Sequence, residues 1–489
     1  MTVAVIGAGV TGLTFTHYYD DAEVFETRQR PGGVIRSERM DGRVLEYGPQ
    51  RTRLTPAVEE VVDQLGVRDE IVWGADLPIQ VYSEGELSVA PRSARELIGT
   101  DLLTPVGKAR MLLEPVVSLY DRLTDSKSSD EKPSPSGYDR SASGPLTSVD
   151  GCSESDGSTG LESGSSGGGS GFDSSGGGSE SISSDSGGPI FGPSVYGFFA
   201  KRFGEEASRK LFSPLYAGIY ASDPKQMPAE HSLFQLMSSK GISRKDSLLK
   251  KLVEKRLADR ETPPAVSFDG GMETITDSLY TSNQGSVHLG TPVSSIAETT
   301  DGVIVKTERG KEEFEAAVLT VPAYAAAELL EDDGRYSNTA RILRNLRYNS
   351  LAYVHLHSDV DLGSMGFQIA YPENHRYLTM GVTANHSFLG RENLYTSFLG
   401  GMNHPGLLER DDEEIGKAAA EEFREFTGEE PNVIDVTGLP DAIPAYDSSW
   451  TRISGIDLPD GVYIAANYVG RPGVPSRIRE ARRLSLELS

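Results

Sequence analysis

Six residues near the N-terminus, Gly7-Ala8-Gly9-Val10-Thr11-Gly12, constrain the fold of this chain more than any other segment. They follow the apolar run TVAVIG and precede LTFTHYY, a pattern that predicts a strand, a glycine turn and a helix. Amide groups at the start of such a helix can face a pyrophosphate. Glu26 ends the next predicted strand, 19 residues after Gly7, where a carboxylate can bind both ribose hydroxyls and disfavours a 2′-phosphate. The spacing predicts a dinucleotide site beside a parallel sheet; a glycine turn without a ligand is the alternative.

A second glycine-rich segment, Arg30-Pro31-Gly32-Gly33, follows closely. Adjacent glycines let the backbone approach a ligand, and Arg36 just beyond them is a candidate partner for a phosphate. Taken alone, this segment has the composition of an ordinary loop.

Composition excludes several classes of partner and site. A net charge of −25, from 47 basic and 72 acidic residues, disfavours nucleic acid and anionic lipid as partners. Arginine outnumbers lysine, and the acidity is spread along the chain, which favours a surface adapted to high salt. The single cysteine, Cys152, leaves no internal disulfide and no cysteine-based metal cluster, so a reducing cytoplasm is the expected location. His355 and His357 lack an evident third ligand, and no metal is expected.

The order of patterns along the chain predicts one long insertion and a mixed α/β organisation. Residues 125–189 are dominated by Ser, Gly and Asp, which predicts a disordered insertion. Deleting residues 126–188 is therefore expected to leave folding intact. Residues 195–220 have helical spacing of apolar side chains, whereas residues 284–322 read as short strands separated by turns. No run of about 18 apolar residues predicts a membrane span.

Several motifs together resemble the flavin amine oxidase superfamily, whose members carry an acidic strand end, then Arg and Gly-Gly, then Glu-x-Gly-Pro. The corresponding residues here are Glu26, Arg30, Gly32-Gly33 and Glu46-Tyr47-Gly48-Pro49. Within that superfamily the chain resembles the oxygen-dependent protoporphyrinogen and coproporphyrinogen oxidases. That resemblance is carried by Phe203-Gly204-Glu205-Glu206 and by SPLYAGIYASDPKQM, and it extends over most of the chain outside the insertion.

The resemblance implies an α/β fold in which a Rossmann-like, FAD-binding dinucleotide domain carries an inserted helical domain and a mixed α+β substrate domain. Segments 1–76, 262–325 and 445–489 would form the FAD domain. Segments 77–124 and 190–261 would form the helical domain, and 326–444 the substrate domain.

The resemblance also assigns FAD-binding roles to residues from both ends of the chain. Val293 would lie on the adenine side, and the helix after Asn467 would point its N-terminus at the isoalloxazine, stabilising the anionic reduced flavin. The expected cofactor-binding residues are Gly7, Gly9, Val10, Thr11, Gly12, Glu26, Arg30, Gly32, Gly33, Arg36, Gly48, Pro49, Val293, Asn467, Gly473, Val474 and Pro475.

The implied reaction is hydride transfer from a porphyrinogen to flavin N5, repeated three times, with O2 or another acceptor reoxidising the cofactor. No catalytic acid or base is assigned, because the cofactor performs the redox step. Phe367 is a candidate ring-packing residue, with a core role as the alternative. Arg53, with Arg51, is a candidate for substrate carboxylates, with surface pairing to acidic neighbours favoured as the alternative.

Departures from the family pattern fall where substrate would bind. The family's Ile-Pro-Gln-Tyr segment and its later Gly-His appear here as Ile443-Pro444-Ala445-Tyr446 without the Gln or the His. Ile79 and Gln80 stand nearest to the arginine that is thought to pair with a propionate. These departures leave open an amine oxidase or carotenoid-type desaturase, against which the Phe203-Gly204-Glu205-Glu206 segment argues. A non-catalytic flavoprotein that binds porphyrin or a partner is a further alternative.

Related enzymes associate with membranes through the helical domain, so the resemblance adds peripheral attachment at the inner face of the membrane as an alternative location. A local basic face in that part of the chain would suit such a contact, although a solvated helix face is the favoured interpretation. Its residues are Lys250, Lys251, Lys255 and Arg256.

Overall fold

A computed structural model describes residues 1–124, 192–238, 241–257, 262–332 and 334–489. The predicted insertion, and with it the deletion of residues 126–188, lies outside these described residues. The strands of the described chain are β1 Val3–Ile6, β2 Ala22–Phe25, β3 Ser37–Met40, β4 Arg43–Glu46, β5 Thr52–Arg53, β6 Ile71–Trp73, β7 Gln80–Ser83, β8 Glu86–Val89, β9 Ala265–Phe268, β10 Val287–His288, β11 Val293–Glu298, β12 Val303–Thr307, β13 Gly310–Phe314, β14 Ala316–Leu319, β15 Tyr348–His357, β16 Gly366–Ile369, β17 Thr379–Ala384, β18 Leu394–Gly400, β19 Asn432–Pro444 and β20 Val462–Ile464.

The α-helices of the same residues include several that begin at a proline or a serine, as helix starts commonly do. They are α1 Val10–Tyr18, α2 Pro56–Leu65, α3 Ala94–Gly99, α4 Pro105–Leu112, α5 Glu114–Thr124, α6 Val195–Phe203, α7 Glu205–Ala207, α8 Ser213–Tyr220, α9 Gln235–Ser238, α10 Leu248–Leu257, α11 Glu273–Ser282, α12 Ala323–Leu330, α13 Ser337–Arg344, α14 Asn385–Leu389, α15 Asp412–Thr427 and α16 Val474–Leu488.

A five-stranded parallel sheet in the order β10-β2-β1-β14-β20 forms the centre of the dinucleotide-binding part. The strands β1 and β14 are buried along their whole length, as expected for apolar strands with helices on both faces. On one side, α1 packs between α11 and α16. Because all five strands run in parallel, the turns that follow β1, β14 and β20 meet at one edge of the sheet.

A seven-stranded mixed sheet in the order β19-β15-β18-β17-β16-β7-β8 forms the second half of the molecule. Its outer face packs on α15 around a buried aromatic and aliphatic cluster that includes Tyr395, Phe423 and Phe426. Its other face meets α8. Its strands β15 to β19 fall within residues 326–444, the segment expected from the sequence to form the mixed substrate domain.

The segment 80–89 departs from the sequence prediction, which placed it in the helical domain. It forms the β7–β8 hairpin, and β7 pairs in parallel with β16 and so extends the seven-stranded sheet. Each arm of the hairpin is only four residues long, too short for the alternation of a strand to stand out in the sequence. The segment was therefore assigned with the helices that follow it. The domain limits remain a prediction elsewhere.

Helices α4 to α8 and α10 form the helical part, held by a buried ion pair. Arg202 of α6 donates to Glu114 of α5 and to Ser118, and Glu114 accepts the backbone amides of Leu248 and Leu249 at the start of α10. Both charged side chains are almost fully buried. In the residues described, no helix is both long enough and apolar enough to span a bilayer.

Candidate active site

The turn between β1 and α1 is shaped by backbone contacts that only glycine allows. Gly7 has φ +107°, and a Cβ added at Gly12 would lie 2.1 Å from the carbonyl oxygen of Gly7. Gly9, the residue before α1, is not packed in this way, because a Cβ added there meets nothing within 4 Å. No side chain caps the first amides of α1. The turn therefore leaves an open cradle at a helix N-terminus, which suits a pyrophosphate.

Glu26 lies beside this turn at the end of β2. Its two carboxylate oxygens accept the backbone amides of Ala8 at 2.8 Å and Arg28 at 2.9 Å, and the side chain is half-buried. These bonds orient the carboxylate and leave lone pairs for ribose hydroxyls. The backbone oxygen of Glu26 accepts the amide of Thr291 at 2.8 Å, which brings the start of β11, with Val293, to the same end of the sheet.

The Gly32-Gly33 pair closes the cradle from the other side. The amide of Gly32 donates to the carbonyl oxygen of Ala8 at 2.8 Å, and a Cβ at Gly33 would approach the Cα of Gly9 to 3.2 Å. Arg30 holds this loop by donating to the carbonyl oxygen of Gly33 at 2.7 Å. The structure thus uses Arg30 to fix the loop.

Arg36 has a different environment from the one expected for a phosphate partner. Its guanidinium pairs with Glu38 and lies 4.8 Å from the ring centre of Tyr47. A phosphate contact would have to share the guanidinium with Glu38, which binds its Nη2 atom. Arg36 directly precedes β3 and Glu38 lies on it, and sequence inspection did not consider that this two-residue spacing allows them to pair.

Glu46 is buried and connects three parts of the chain just before Gly48 and Pro49. Its carboxylate accepts the hydroxyl of Ser37 at 2.6 Å, the amide of Met272 at 2.9 Å and the guanidinium of Arg391 at 3.0 Å. Burial raises the pKa of Glu46, and the positive charge of Arg391 and these hydrogen bonds oppose that shift. The carboxylate therefore fixes the Gly48-Pro49 segment between the two sheets.

Gly48 itself packs closely, since a Cβ there would lie 2.3 Å from the carbonyl oxygen of Val34. Gln50 continues the connection. Its amide oxygen accepts hydrogen bonds from Asn385 and Thr396, both at 3.1 Å, so this segment is tied to the seven-stranded sheet. Sequence inspection identified the Gly-Pro motif but missed the residues that hold it.

The C-terminal strand and helix complete the same edge of the parallel sheet. After β20, the carbonyl oxygen of Asn467 accepts the hydroxyl of Tyr446 at 3.1 Å. Gly473, with φ +99°, precedes α16, whose first turn contains Val474 and Pro475 and has no side-chain cap. In that first turn Arg477 is buried, and its Nη1 atom has no hydrogen-bond partner in the described residues. An uncapped helix start and an unpaired buried guanidinium nitrogen both suit an electron-rich ligand atom.

Two helix N-termini, those of α1 and α16, thus lie at the carboxyl edge of one parallel sheet, and Thr320 ties the end of β14 to the turn before α1. The hydroxyl of Thr320 lies 2.9 Å from the carbonyl oxygens of both Ile6 and Gly7. The open Gly9 position, the ribose-directed Glu26 and the unpaired Arg477 nitrogen fit an FAD molecule lying across this edge. The structure brings together the glycine, Glu26 and C-terminal residues expected from the sequence.

The face of the seven-stranded sheet that meets α8 is a candidate substrate wall. Tyr353 and Phe398 lie edge to face with ring centres 5.2 Å apart. Burial raises the pKa of Tyr353 to about 12. Gln368 projects between Gly218 of α8 and Gly381 of β17, where added Cβ atoms would lie 2.1 and 2.7 Å from its amide. Its Oε1 atom is buried and, among described residues, has no partner.

Phe367 does not lie on this wall. It is fully buried on the opposite face of the sheet, 5.5 Å from Phe426 of α15. Neighbouring strand residues point to opposite faces, so the position of Gln368 on the α8 side forces Phe367 into the core. Phe367 is therefore a core residue, which was the alternative left open by the sequence.

Arg51 and Arg53 also differ from expectation. Arg53 is exposed and donates to the carbonyl oxygen of Pro263 at 3.0 Å, away from the glycine turn. Arg51 is partly buried, and its guanidinium lies 4.9 Å from the ring centre of Phe388. The expected surface pairing of Arg51 with an acidic neighbour is wrong, because none of the ion pairs in the described chain includes it. His355 likewise serves packing, with Nε2 3.2 Å from the carbonyl oxygen of Glu46.

The described residues contain no group of three or more His, Cys, Asp or Glu side chains arranged to hold a metal ion. The site therefore offers glycine backbone, helix N-termini, guanidinium groups and aromatic rings as its binding elements.

Comparisons with known proteins agree with this set of elements. A family model described as flavin containing amine oxidoreductase matches residues 185–483, and one described as an NAD(P)-binding Rossmann-like domain matches residues 5–65. Protoporphyrinogen oxidase 2 of Arabidopsis thaliana is 23% identical over 521 residues, covering 96% of this chain and 90% of the relative. Coproporphyrinogen III oxidase of Staphylococcus aureus is 30% identical over 128 residues, or 22% of this chain and 27% of the relative.

Solved structures share the fold over the whole chain. A candidate protoporphyrinogen oxidase from Exiguobacterium sp. 255-15 has a TM-score of 0.67 at 20% identity and covers 100% of this chain and 98% of the other. Cyclohexylamine oxidase from Brevibacterium oxydans has a TM-score of 0.62 at 14% identity, covering 100% and 99%.

Proposed function

Because this chain belongs to the family of flavin containing amine oxidoreductases and is an FAD-dependent enzyme, we propose that it oxidises a porphyrinogen to the porphyrin in haem biosynthesis. The substrate would be protoporphyrinogen IX or coproporphyrinogen III. One observation carries the proposal. Similarity to protoporphyrinogen oxidases covers 96% of this chain, so it includes the helical and substrate parts as well as the dinucleotide-binding part.

FAD, when bound, supplies the hydride acceptor for each of three oxidation cycles, and O2 or another acceptor removes the electrons. The residues of the chain supply position and charge. Amides of the Gly7–Gly12 turn would hold the pyrophosphate and Glu26 the ribose hydroxyls, with Gly32, Gly33 and Val293 around them. The N-terminus of α16 would stabilise negative charge at the ring end.

The remaining expected contacts belong to the same proposal. Gly48 and Pro49 lie on the segment that Glu46 fixes between the two sheets, and Asn467 lies on the strand end before α16. The substrate would lie between this edge and the wall formed by Tyr353, Phe398 and Gln368. Apolar rings on that wall would exclude water and pack on the tetrapyrrole faces.

Amine oxidation is the second candidate, and it is favoured by the fold of solved neighbours. A wild-type putrescine oxidase bound to putrescine has a TM-score of 0.64 at 15% identity, covering 100% of this chain and 98% of the other. Porphyrinogen oxidation and amine oxidation are distinguished by which donor, a porphyrinogen or an amine, reduces the flavin.

The test is anaerobic titration of the FAD-loaded protein with each porphyrinogen, in high salt, while flavin absorbance is followed. Bleaching of the flavin with the appearance of a porphyrin spectrum supports the proposal and identifies the preferred ring. Bleaching by putrescine or cyclohexylamine alone supports amine oxidation instead.

The control variant is Gly9→Val. Gly9 has φ −75° and ψ 177°, which any residue adopts, and space for a side chain, so the variant should fold. Its side chain would occupy the pyrophosphate cradle, so it should neither retain FAD nor form porphyrin. Porphyrin formation by this variant at the wild-type rate would show that the signal does not come from the proposed site.

A further inference from the structure

A cleft of about 440 Å³ lies between the β3–β4 hairpin and the turn that joins α14 to β18. β6 and the end of β9 complete its walls. Small-molecule sites span roughly 300–1,000 Å³, so the volume of this hairpin cleft is sufficient for a ligand. In the part of the chain that the structure describes, its lining residues include none from the glycine turn, the Gly32-Gly33 pair or the start of α16. The hairpin cleft is therefore separate from the edge of the parallel sheet that fits FAD.

Arg43 supplies the hairpin cleft with an unpaired positive charge. The side chain is half-buried, and its Nε atom is sealed from solvent without a hydrogen-bond partner in the described residues. Its two terminal nitrogen atoms are not among the sealed unpaired atoms, so a ligand in the cleft can reach them. A charged group that is partly desolvated and lacks a partner raises the free energy of the folded chain. A ligand atom that accepts hydrogen bonds would remove this cost.

Arg391 is the second arginine of the cleft, and its charge is already balanced. Its guanidinium donates to the carboxylate of Glu46 at 3.0 Å and to the hydroxyl of Ser267 at 2.9 Å. Among the described residues that line the cleft, Arg43 is therefore the cation that remains for a ligand.

Three carboxylates at the mouth of the cleft set a second requirement for the ligand. Asp41, Asp269 and Glu392 are exposed, and none of them takes part in an ion pair within the described residues. A simple anion that is attracted by Arg43 would be repelled by these side chains, and a simple cation would be repelled by Arg43. A molecule with a carboxylate at one end and a cationic group at the other satisfies both conditions.

A larger cavity, of about 560 Å³ beside α15, has no such unbalanced charge. Of its described lining residues, Arg376 pairs with Glu425 and Arg424 pairs with Glu430. Volume alone therefore does not indicate a ligand, and the unpaired charge of Arg43 distinguishes the hairpin cleft.

We propose that the hairpin cleft binds a small zwitterion, whose carboxylate contacts Arg43 and whose cationic group lies among the three carboxylates at the mouth. A guanidinium binds a carboxylate through two parallel, charge-assisted hydrogen bonds, which fixes the orientation of the ligand. Because Arg43 lies on β4 and Glu392 lies in the turn before β18, the ligand would bridge the β3–β4 hairpin and the seven-stranded sheet. The site is independent of the donor that reduces the flavin.

The experiment titrates the FAD-loaded protein with 4-(trimethylammonio)butanoate, butanoate and butyltrimethylammonium, and measures each affinity by calorimetry. The salt is kept at the lowest concentration at which the protein stays folded, since salt screens exposed charges. We expect the zwitterion to bind at least about tenfold more tightly than either singly charged analogue and to raise the melting temperature. A quaternary nitrogen has no lone pair, so amine oxidation does not consume these probes and the result does not depend on the proposed function.

Variants then test each end of the ligand. Arg43→Gln should weaken the zwitterion by at least about tenfold, and Arg43→Lys should restore part of the affinity. Arg39→Gln is the matched control, because Arg39 is exposed on β3, opposite Val44 of β4, and the new amide can still donate to the carbonyl oxygen of Asp269. It should change the affinity less than about twofold. Asp269→Asn combined with Glu392→Gln should reduce the affinity for the zwitterion to that for butanoate.

No binding of the zwitterion by wild type at millimolar concentration, or equal affinity in wild type and Arg43→Gln, would overturn the proposal, as would a comparable loss in Arg39→Gln. Binding of either singly charged analogue as tightly as the zwitterion would overturn the zwitterionic class. The melting temperature without ligand checks folding. If Arg43→Gln melts below wild type, Arg43→Lys replaces it: a folded lysine variant that prefers the zwitterion supports the site, and one that binds all three probes alike overturns it.

Discussion

The glycine turn before α1 and the α8-facing wall of the seven-stranded sheet differ in what defines their shape. At the turn, backbone atoms set the limits, because a Cβ at Gly12 would lie 2.1 Å from the oxygen of Gly7. At the wall, side chains set them, and Gln368 retains a buried oxygen without a partner in the described residues. A site formed by backbone tolerates few sequences, whereas a site formed by side chains can change its ligand by substitution. The turn thus identifies the cofactor, and under the proposed function the wall would select the substrate.

The largest effect that would test this comparison is expected for Gly12→Ala. The new Cβ collides with backbone rather than with a flexible side chain, so the turn must shift, at a cost on the order of 4 kcal/mol of unfolding free energy. We expect the variant to be purified without flavin. The ratio of flavin to protein absorbance and a urea unfolding curve measure both effects. A variant that keeps full flavin content would show that the turn is less constrained than the wall.

The second effect concerns Glu46, which joins the two regions. Glu46→Ala leaves the guanidinium of Arg391, only 9% exposed, without its carboxylate partner. Breaking a buried pair in this way costs about 3–5 kcal/mol. Urea unfolding measures the loss, and the double variant Glu46→Ala, Arg391→Met should recover part of it. No recovery would mean that the bonds to Ser37 and Met272 carry the stability instead.

The third effect compares neighbouring residues on opposite faces of β16. Phe367→Ala removes a fully buried ring and should cost about 3–5 kcal/mol of stability. Gln368→Gly should change stability by only about 1 kcal/mol, because the lost amide leaves no acceptor unsatisfied.

The variants Phe367→Ala and Gln368→Gly also test which face of the seven-stranded sheet contacts the substrate. Gln368→Gly should change the KM for the donor several-fold at unchanged flavin content, whereas Phe367→Ala should leave the KM of the folded fraction near the wild-type value. Steady-state kinetics with the donor found by anaerobic titration supplies the measurement. A larger KM change in Phe367→Ala would place the substrate on the α15 side of the sheet.

The smallest effect is a pH dependence. Burial raises the pKa of Glu46, against the effect of Arg391, so the folded chain binds this proton more readily than the unfolded chain. The stability contributed by protonation is full below the unfolded pKa of about 4.3 and is lost as pH rises through the folded pKa. Relative to Glu46→Gln, wild type should therefore become more stable as the pH falls from 7 to 4.5. A relative loss over this range would mean that the pair with Arg391 keeps the folded pKa low.

The parts of this protein that could be predicted from sequence are those that backbone geometry restricts. Gly7, Gly9 and Gly12 at fixed spacing after an apolar strand allow few arrangements, and the parallel sheet and the position of Glu26 follow from them. The FAD fold and the family were predicted correctly for that reason.

Side-chain environments could not be predicted in the same way. Arg51 and Arg53 are alternate residues of one short segment, and which of them is enclosed depends on Phe388, more than 300 residues away. Gln368 and Arg391 were missed because their roles depend on contacts with Gly218 and Glu46 from other parts of the chain. The alternation of strand faces was one available signal, since it places Phe367 and Gln368 on opposite sides.

The order of strands in the parallel sheet has a consequence for biosynthesis. β1 pairs with β14, and β14 pairs with β20, so residues near positions 5, 318 and 464 must meet before the edge that faces the cofactor exists. During synthesis β1 leaves the ribosome long before β14 and β20, and α16 follows β20. The cofactor edge of the nascent chain therefore stays incomplete until β20 and α16 have been made, and a ligand that binds only the completed edge would stabilise a sheet assembled from distant segments.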